Sequence, residues 1–265
     1  MPIAYSILPD RFADDRHGTI ERGLEAAGWR VKRGPGMPRG PEDLLVTWTV
    51  HRGHKERAAR AFEAAGGRVL VCEEAYFREV NGERHFALAL CDHNGAGRWP
   101  PGGPERWDSF GIAIQPWRRR GRHVLVREQR GIGSGRMASP PLWHDGATRR
   151  LKALTDRPIV FRAHPKSRMY PETAATQPSL EAALRDCHAV VTWASAIAAR
   201  ALVAGVPVFY EAPAIACAGA CTRGLEGIER PRMPDRLPAL ERLAWAQWSV
   251  SEIARGLPFD TLMRS

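Results

Sequence analysis

Short runs of apolar, β-branched residues alternate along the chain with longer amphipathic stretches. The first third places apolar runs at residues 3–8, 29–32, 43–50 and 68–72, and stretches with helical spacing at 18–27 and 53–65. Four- to eight-residue apolar runs suit buried strands, and the amphipathic stretches suit helices closed by Gly28 and by Gly66-Gly67. Strands separated by helices of this length predict parallel βαβ units. Residues 91–107 (CDHNGAGRWPPGGPERW) break the rhythm with a long Gly- and Pro-rich loop, and loops of that length usually carry function or lack order. A short strand is expected at 112–114, and 116–122 (PWRRRGR) reads as a basic hinge.

The alternation then restarts. Strands are expected at 123–127, 158–163, 189–192 and 206–210, helices at 143–154, 179–185 and 195–204, and a helical tail at 236–256 carrying Trp245 and Trp248. The expected fold class is α/β, with two small Rossmann-like domains. Residues 1–116 form the first, 117–240 the second, and 241–265 a C-terminal helix that crosses back onto the first.

Composition narrows the class. The chain has 265 residues, 44% of them apolar, which excludes a disordered or fibrous protein. Its net charge of +10 comes almost wholly from arginine, the only lysines being Lys32, Lys55, Lys152 and Lys166. Arginine matches phosphate with a planar fork, so a polyanionic partner is expected. A GC-rich genome would explain the Arg/Lys ratio but not the excess over acids. Five cysteines, an odd count, argue against a disulfide scaffold and for reduced thiols in the cytoplasm. No signal peptide is expected at the N-terminus. The apolar stretch 189–220 is interrupted by Arg200, Pro207, Glu211 and Pro213, so no membrane span is expected either. Asp14-Asp15 does not form a D-x-D metal motif, and no metal is expected.

In parallel sheets, ligands sit outside the carboxyl ends of the strands. Three segments lie there. QRGIGSGR (129–136) follows the strand HVLVR, with Gly131 and Gly133 able to turn N–H groups toward an anion, Ser134 adding a hydroxyl, and Arg130 and Arg136 adding charge. An ordinary glycine-rich connection is the competing reading. FRAHPKS (161–167) ends the strand PIVF with Arg162, His164 and Lys166 at alternate positions, a set suited to a diphosphate, against the alternative of a surface His before a Pro turn. VVTWASAIAARALVAGVPVFYE (190–211) ends a strand at Thr192 and starts a small-residue helix at Ser195, and helix N-termini bind phosphate. The next strand delivers Glu211, a carboxylate able to bind ribose hydroxyls. A plain helix cap at Ser195 explains this segment equally well.

The order strand–Gly-rich loop, strand–His-Pro, strand–Thr-x-x-Ser-helix–Gly-x-Pro-strand resembles the nucleotide-binding half of GT-B glycosyltransferases. It is most similar to the capsular-polysaccharide Kdo-transferase type, over residues 123–211. The resemblance implies a nucleotide-sugar held through its phosphates as a substrate, with no cofactor and no metal. By position, His164 and Ser195 would touch the donor phosphates, and Arg130, Gly131 and Ser134 would lie near the diphosphate or the transferred sugar. The chain is short for this fold, so a minimal acceptor domain is expected.

An inverting transferase needs a base for the acceptor hydroxyl. Asp92 and His93 in the long loop are the candidates carried forward, with Asp92 favoured and Glu73 or Glu74 as alternatives. Residues 117–136 hold Arg118, Arg119, Arg120, Arg122, Arg127, Arg130 and Arg136 against one acid, Glu128, with Trp99, Trp107 and Trp117 near in sequence. Basic residues interleaved with aromatics suit nucleic acid. The expected acceptor is therefore a hydroxymethylated pyrimidine in double-stranded DNA, as in phage-type enzymes, with Trp117, Arg118, Arg119, Arg120 and Arg122 at the DNA. The chain would then act as a monomer in the cytoplasm, the host's if phage-encoded. The alternatives are a polysaccharide or lipid-linked acceptor, and a non-catalytic DNA-binding module.

Overall fold

The computed structural model describes residues 1–9 and 15–263; Asp14 therefore lies outside the described residues. In chain order the elements are β1 (Ile3–Ser6), α1 (Arg16–Ala26), β2 (Arg30–Arg33), β3 (Leu44–Trp48), α2 (His54–Ala64), β4 (Arg68–Val80), β5 (Glu83–Leu90), α3 (Glu105–Phe110), β6 (His123–Arg127), α4 (Trp143–Leu151), β7 (Ile159–Arg162), α5 (Pro171–Thr176), α6 (Leu180–Leu184), β8 (Cys187–Thr192), α7 (Ile197–Val203), β9 (Val208–Tyr210), β10 (Thr222–Arg223), α8 (Leu237–Ala244), β11 (Gln247–Ser249), α9 (Val250–Ala254) and α10 (Leu257–Met263). They form two compact α/β units. The first comprises Met1–Phe110, Gly133–Arg136 and Glu241–Ser265, and the second Gly111–Ile132 and Met137–Leu240.

The first unit is built on a six-stranded sheet in the order β11-β5-β4-β3-β1-β2. β1 to β4 are parallel, and every residue of β3 (LLVTW) is buried because strands flank it on both sides. β2, at the edge, reads RVKR and is mostly exposed, a charged edge that discourages pairing with other chains. Two features depart from the pattern expected above. The strand at 68–72 continues to Val80, turns at Asn81-Gly82 with both φ angles positive, and pairs antiparallel with β5. The tail is not one helix: β11 interrupts it and pairs antiparallel with β5, placing Trp248 opposite Phe86. Arg106 anchors this tail, with its guanidinium on both Glu252 oxygens (2.7 Å each) and 3.9 Å from the Trp248 ring.

The second unit carries a five-stranded, wholly parallel sheet in the order β10-β9-β8-β6-β7. Its core gathers Val124 and Val126 of β6, Ala189 and Val191 of β8, Phe209 of β9, and Trp143, Ala147 and Leu151 of α4. The strand expected at 112–114 is absent; Gln115 N–H instead bonds the Val203 carbonyl. Both sheets share one order. The first strand is next to one edge, the second forms that edge, and the third and fourth extend on the other side. The crossover direction therefore reverses between β1 and β3 in the first unit and between β6 and β8 in the second. Such reversal points open a crevice at the carboxyl edge of a parallel sheet.

Candidate functional site

At the reversal point of the second unit, the ends of β6, β7 and β8 are tied to each other by side chains. The β6–β7 register ends on Arg127 opposite Arg162, and the β8–β9 register ends on Thr192 opposite Tyr210. Just beyond, Gln129 donates to Thr192 Oγ1 (3.0 Å), which also accepts from Ser195 N–H (3.1 Å). Arg130 donates to the Lys166 carbonyl (3.4 Å). Arg130, Arg162, His164, Lys166, Thr192 and Ser195, expected to converge, thus do share one edge. Ser195 lies ahead of α7, which begins at Ile197, and its hydroxyl accepts weakly from Ile197 N–H (3.4 Å).

Two residues at this edge, counted above only in the basic segment 117–136, were not among the expected donor contacts. Arg127 is buried; loss of solvent, then the neighbouring Arg162, pull its pKa down to about 10 against the pull of Glu128, with Arg130 adding to the depression. Burial also lowers the pKa of Arg162. Glu128 is 5% exposed, and its carboxylate accepts from His164 N–H (2.6 Å) and Ser167 Oγ (2.8 Å). Arg127, Arg130, Arg162 and Lys166 thus belong to the same strand ends as this buried acid, with the Arg127 guanidinium donating to the Arg162 carbonyl (3.2 Å) and the Arg162 guanidinium to the Pro178 carbonyl (2.7 Å). Such an excess of cations at one strand edge, two of them exposed, favours an anion.

Other expected donor contacts are placed differently. Gly131 has φ +65, but its N–H goes to Ser139 Oγ (3.1 Å). Gly133 and Ser134 belong to the first unit, where the Gly133 carbonyl accepts from Arg52 N–H and Ser134, fully buried, donates to Asp92 Oδ2 (2.7 Å). Asp92 and Arg52 draw this part of the loop into the first unit's own packing. Glu211, expected to hold ribose, is clamped by both Arg150 amino groups (2.7 and 2.6 Å) and by Trp143 Nε1 (2.8 Å). Those three donors occupy it structurally.

In the first unit, Asp92 and His93 form a closed dyad. Asp92 is 1% exposed, and its Oδ1 accepts from both the His93 backbone N–H and Nδ1 (2.9 Å each). Cys91 (φ +74) and Asn94 (φ +53) bracket the pair in left-handed backbone, a costly conformation for non-glycine residues. Burial alone would raise Asp92, but the bonds from His93 and Ser134 hold its carboxyl below the usual carboxylate value. Burial alone would depress His93, yet the charge of Glu73, whose Oε2 lies 4.0 Å from Nε2, and the bond to Asp92 hold it above the usual imidazole value. A carboxylate saturated by three donors and harder to protonate is a poor base. Asp92, the residue favoured above as base, is thus bonded to the ring through Nδ1, while His93 Nε2 faces Glu73.

The segment expected at DNA sits elsewhere. Residues 117–122 precede β6, so they lie at the amino edge of the second sheet, opposite the edge just described. Trp117 Nε1 bonds the Pro234 carbonyl and its ring is covered by Arg236 at 4.1 Å. Arg118 is held by the Leu184 and Cys187 carbonyls. Trp99 and Trp107 are buried. Only Arg119, Arg120 and Arg122 of the proposed nucleic-acid set are exposed. The indoles expected to stack on bases are packed against protein groups, because an apolar ring placed beside an irregular chain gains more from burial there.

No protein-family model matches the chain, and no curated protein matches it in sequence. Among solved structures it is similar to the β-Kdo 2,7 transferase of Thermosulfurimonas dismutans KpsC, with a TM-score of 0.60 at 14% identity, covering 97% of this chain and 98% of that one. The β-Kdo 2,4 transferase of the same protein matches with a TM-score of 0.56, also at 14% identity and with the same coverage. The likeness is one of fold, a pair of Rossmann-like α/β units. Among the described residues, no helix is long and apolar enough to cross a membrane.

Proposed function

We propose that this chain is a metal-independent GT-B glycosyltransferase that takes a nucleotide-sugar donor and moves the sugar to a hydroxyl of a saccharide acceptor, polysaccharide or lipid-linked. The observation that supports the reading most is the set of basic residues, Arg127, Arg130, Arg162 and Lys166, brought with His164 to the strand ends at the reversal point of the second sheet. Donor phosphates would neutralise these cations, with His164 and Ser195 as further donors. The fold shared with two Kdo transferases supports the same class. For the acceptor step, His93 Nε2 would take the hydroxyl proton while Asp92 holds the ring through Nδ1. A hydroxymethylated pyrimidine in DNA retains only the exposed Arg119, Arg120 and Arg122 in its favour, and covered indoles weigh against it.

The test is transfer itself. The protein is incubated with a panel of nucleotide-sugars and two acceptor pools, oligosaccharides and 5-hydroxymethylcytosine DNA, with a chelator present, and products are read by mass spectrometry. A sugar-mass increment on an oligosaccharide supports the reading. An increment on DNA alone replaces the acceptor, and none on either pool with any donor refutes it.

A further inference from the structure

The His-Pro turn is assembled by a residue that does not belong to it. Glu128 follows β6, yet both its oxygens reach the turn after β7, one accepting from His164 N–H at 2.6 Å and the other from Ser167 Oγ at 2.8 Å. Ser167 in turn accepts from Tyr170 N–H (2.9 Å) and donates its own N–H to the His164 carbonyl (2.8 Å). Backbone and side-chain bonds thus close the turn at both ends. Within it, Lys166 N–H donates to His164 Nδ1 (2.9 Å). An Nδ1 that accepts a backbone N–H cannot carry a proton, so the ring is neutral with its hydrogen on Nε2. Glu128 also opposes the depression of Arg127, yet a role as a simple counter-ion would not require it to bond the turn.

We propose that Glu128 is a positioning residue: it builds the His164–Ser167 turn and thereby locks His164 as the neutral Nε2–H tautomer, the form that can donate to an anionic ligand. The inference rests on the donor-site reading above. It means that His164 contributes a directed hydrogen bond while the arginines contribute the charge. It also means that specificity for an oxyanion of fixed geometry resides in the turn, because the charge around it is diffuse.

The test uses the whole protein labelled with 15N-histidine, with the His164 signals identified by their absence in His164→Asn. Long-range 15N–1H spectra distinguish the two neutral tautomers. The wild type is expected to show a single Nε2–H form whose Nε2 signal shifts on titration with inorganic pyrophosphate. Glu128→Ala is expected to give mixed tautomers and about tenfold weaker pyrophosphate binding, the loss that one charge-assisted hydrogen bond represents. Glu128→Gln, which can still accept from His164 N–H and pair with Ser167, is expected to restore the single tautomer. A wild-type ring in the Nδ1–H form or in a mixture overturns the proposal, and this measurement stands even if Glu128→Ala does not fold. A folded Glu128→Ala with unchanged tautomer and affinity overturns it as well. If the tautomer responds as expected but pyrophosphate leaves His164 unmoved in the wild type, the donor-site reading fails while the lock stands.

Discussion

Two side chains set apart by burial give opposite expectations. Asp92 is buried and saturated, so Asp92→Ala leaves a ring nitrogen, a backbone N–H and a hydroxyl without their acceptor. It should cost about 3 kcal/mol in urea denaturation, as other broken buried charge networks do. The paired shifts also fix a pH dependence. A lowered Asp92 contributes stability above its unfolded value near 3.8 that is lost as pH falls through its folded value. A raised His93 contributes stability below its unfolded value of 6.5 that is lost as pH rises through its folded value. Both contributions are complete only between those two values, so the stability difference between wild type and His93→Gln should shrink when unfolding is followed from about pH 5.5 to pH 9. The same nitrogen must be unprotonated to act as a base. The rate of transfer should therefore rise along a limb above pH 6.5, and Glu73→Gln should move that limb to lower pH by removing the charge that holds the proton. Arg127 behaves in the reverse sense: its depressed pKa means that the folded state disfavours its charge. Arg127→Met should leave the ligand-free protein about 1 kcal/mol more stable while weakening pyrophosphate binding, as expected where a site keeps unfavourable charges for function.

The contact between α1 and α9 depends on one small residue. Gly23 lies within α1, where alanine normally stabilises a helix by about 1 kcal/mol. A Cβ there would fall 1.8 Å from the Ile253 carbonyl oxygen, so α9 must move away. Gly23→Ala is accordingly expected to destabilise the first unit by about 2 kcal/mol, the usual penalty of overpacking, read as a lower melting temperature. The parallel strands were legible because a buried strand must be continuously apolar: β3 and β8 stand out as LLVTW and CHAVVT. The β4–β5 hairpin was missed although Asn81-Gly82 is a recognised turn signal, because β4 runs thirteen residues with charges at Glu73, Glu74, Arg78 and Glu79. β11 was missed because three residues between two helices satisfy a helical apolar spacing as well as a strand. Glu128 had no local signal at all. Its burial follows from β7 lying beside β6, a pairing that the flanking sequence REQR does not express.

Both units repeat one strand order; the second carries a cationic edge beyond its parallel strands, and the first a carboxylate–imidazole dyad just after β5, which runs antiparallel to β4. The net charge of +10 is therefore not one undivided surface property. Part of it lies at Arg127, Arg130, Arg162 and Lys166 on the carboxyl edge of the second sheet, and part, at Arg118 and Arg236, lies at the other end on carbonyls and on the Trp117 ring. Sequence alone could count these arginines but could not divide them, because the division depends on which edge of the sheet each one reaches. The central claim, a nucleotide-sugar site at that cationic edge, is tested most directly by thermal unfolding across a nucleotide-sugar panel, comparing wild type with His164→Ala. At ligand about 100-fold above Kd, at least one nucleotide-sugar should raise the wild-type melting temperature by about 5 °C, and His164→Ala should fold normally but lose most of that rise. No rise with any nucleotide-sugar, or an equal rise in both proteins, would contradict the account.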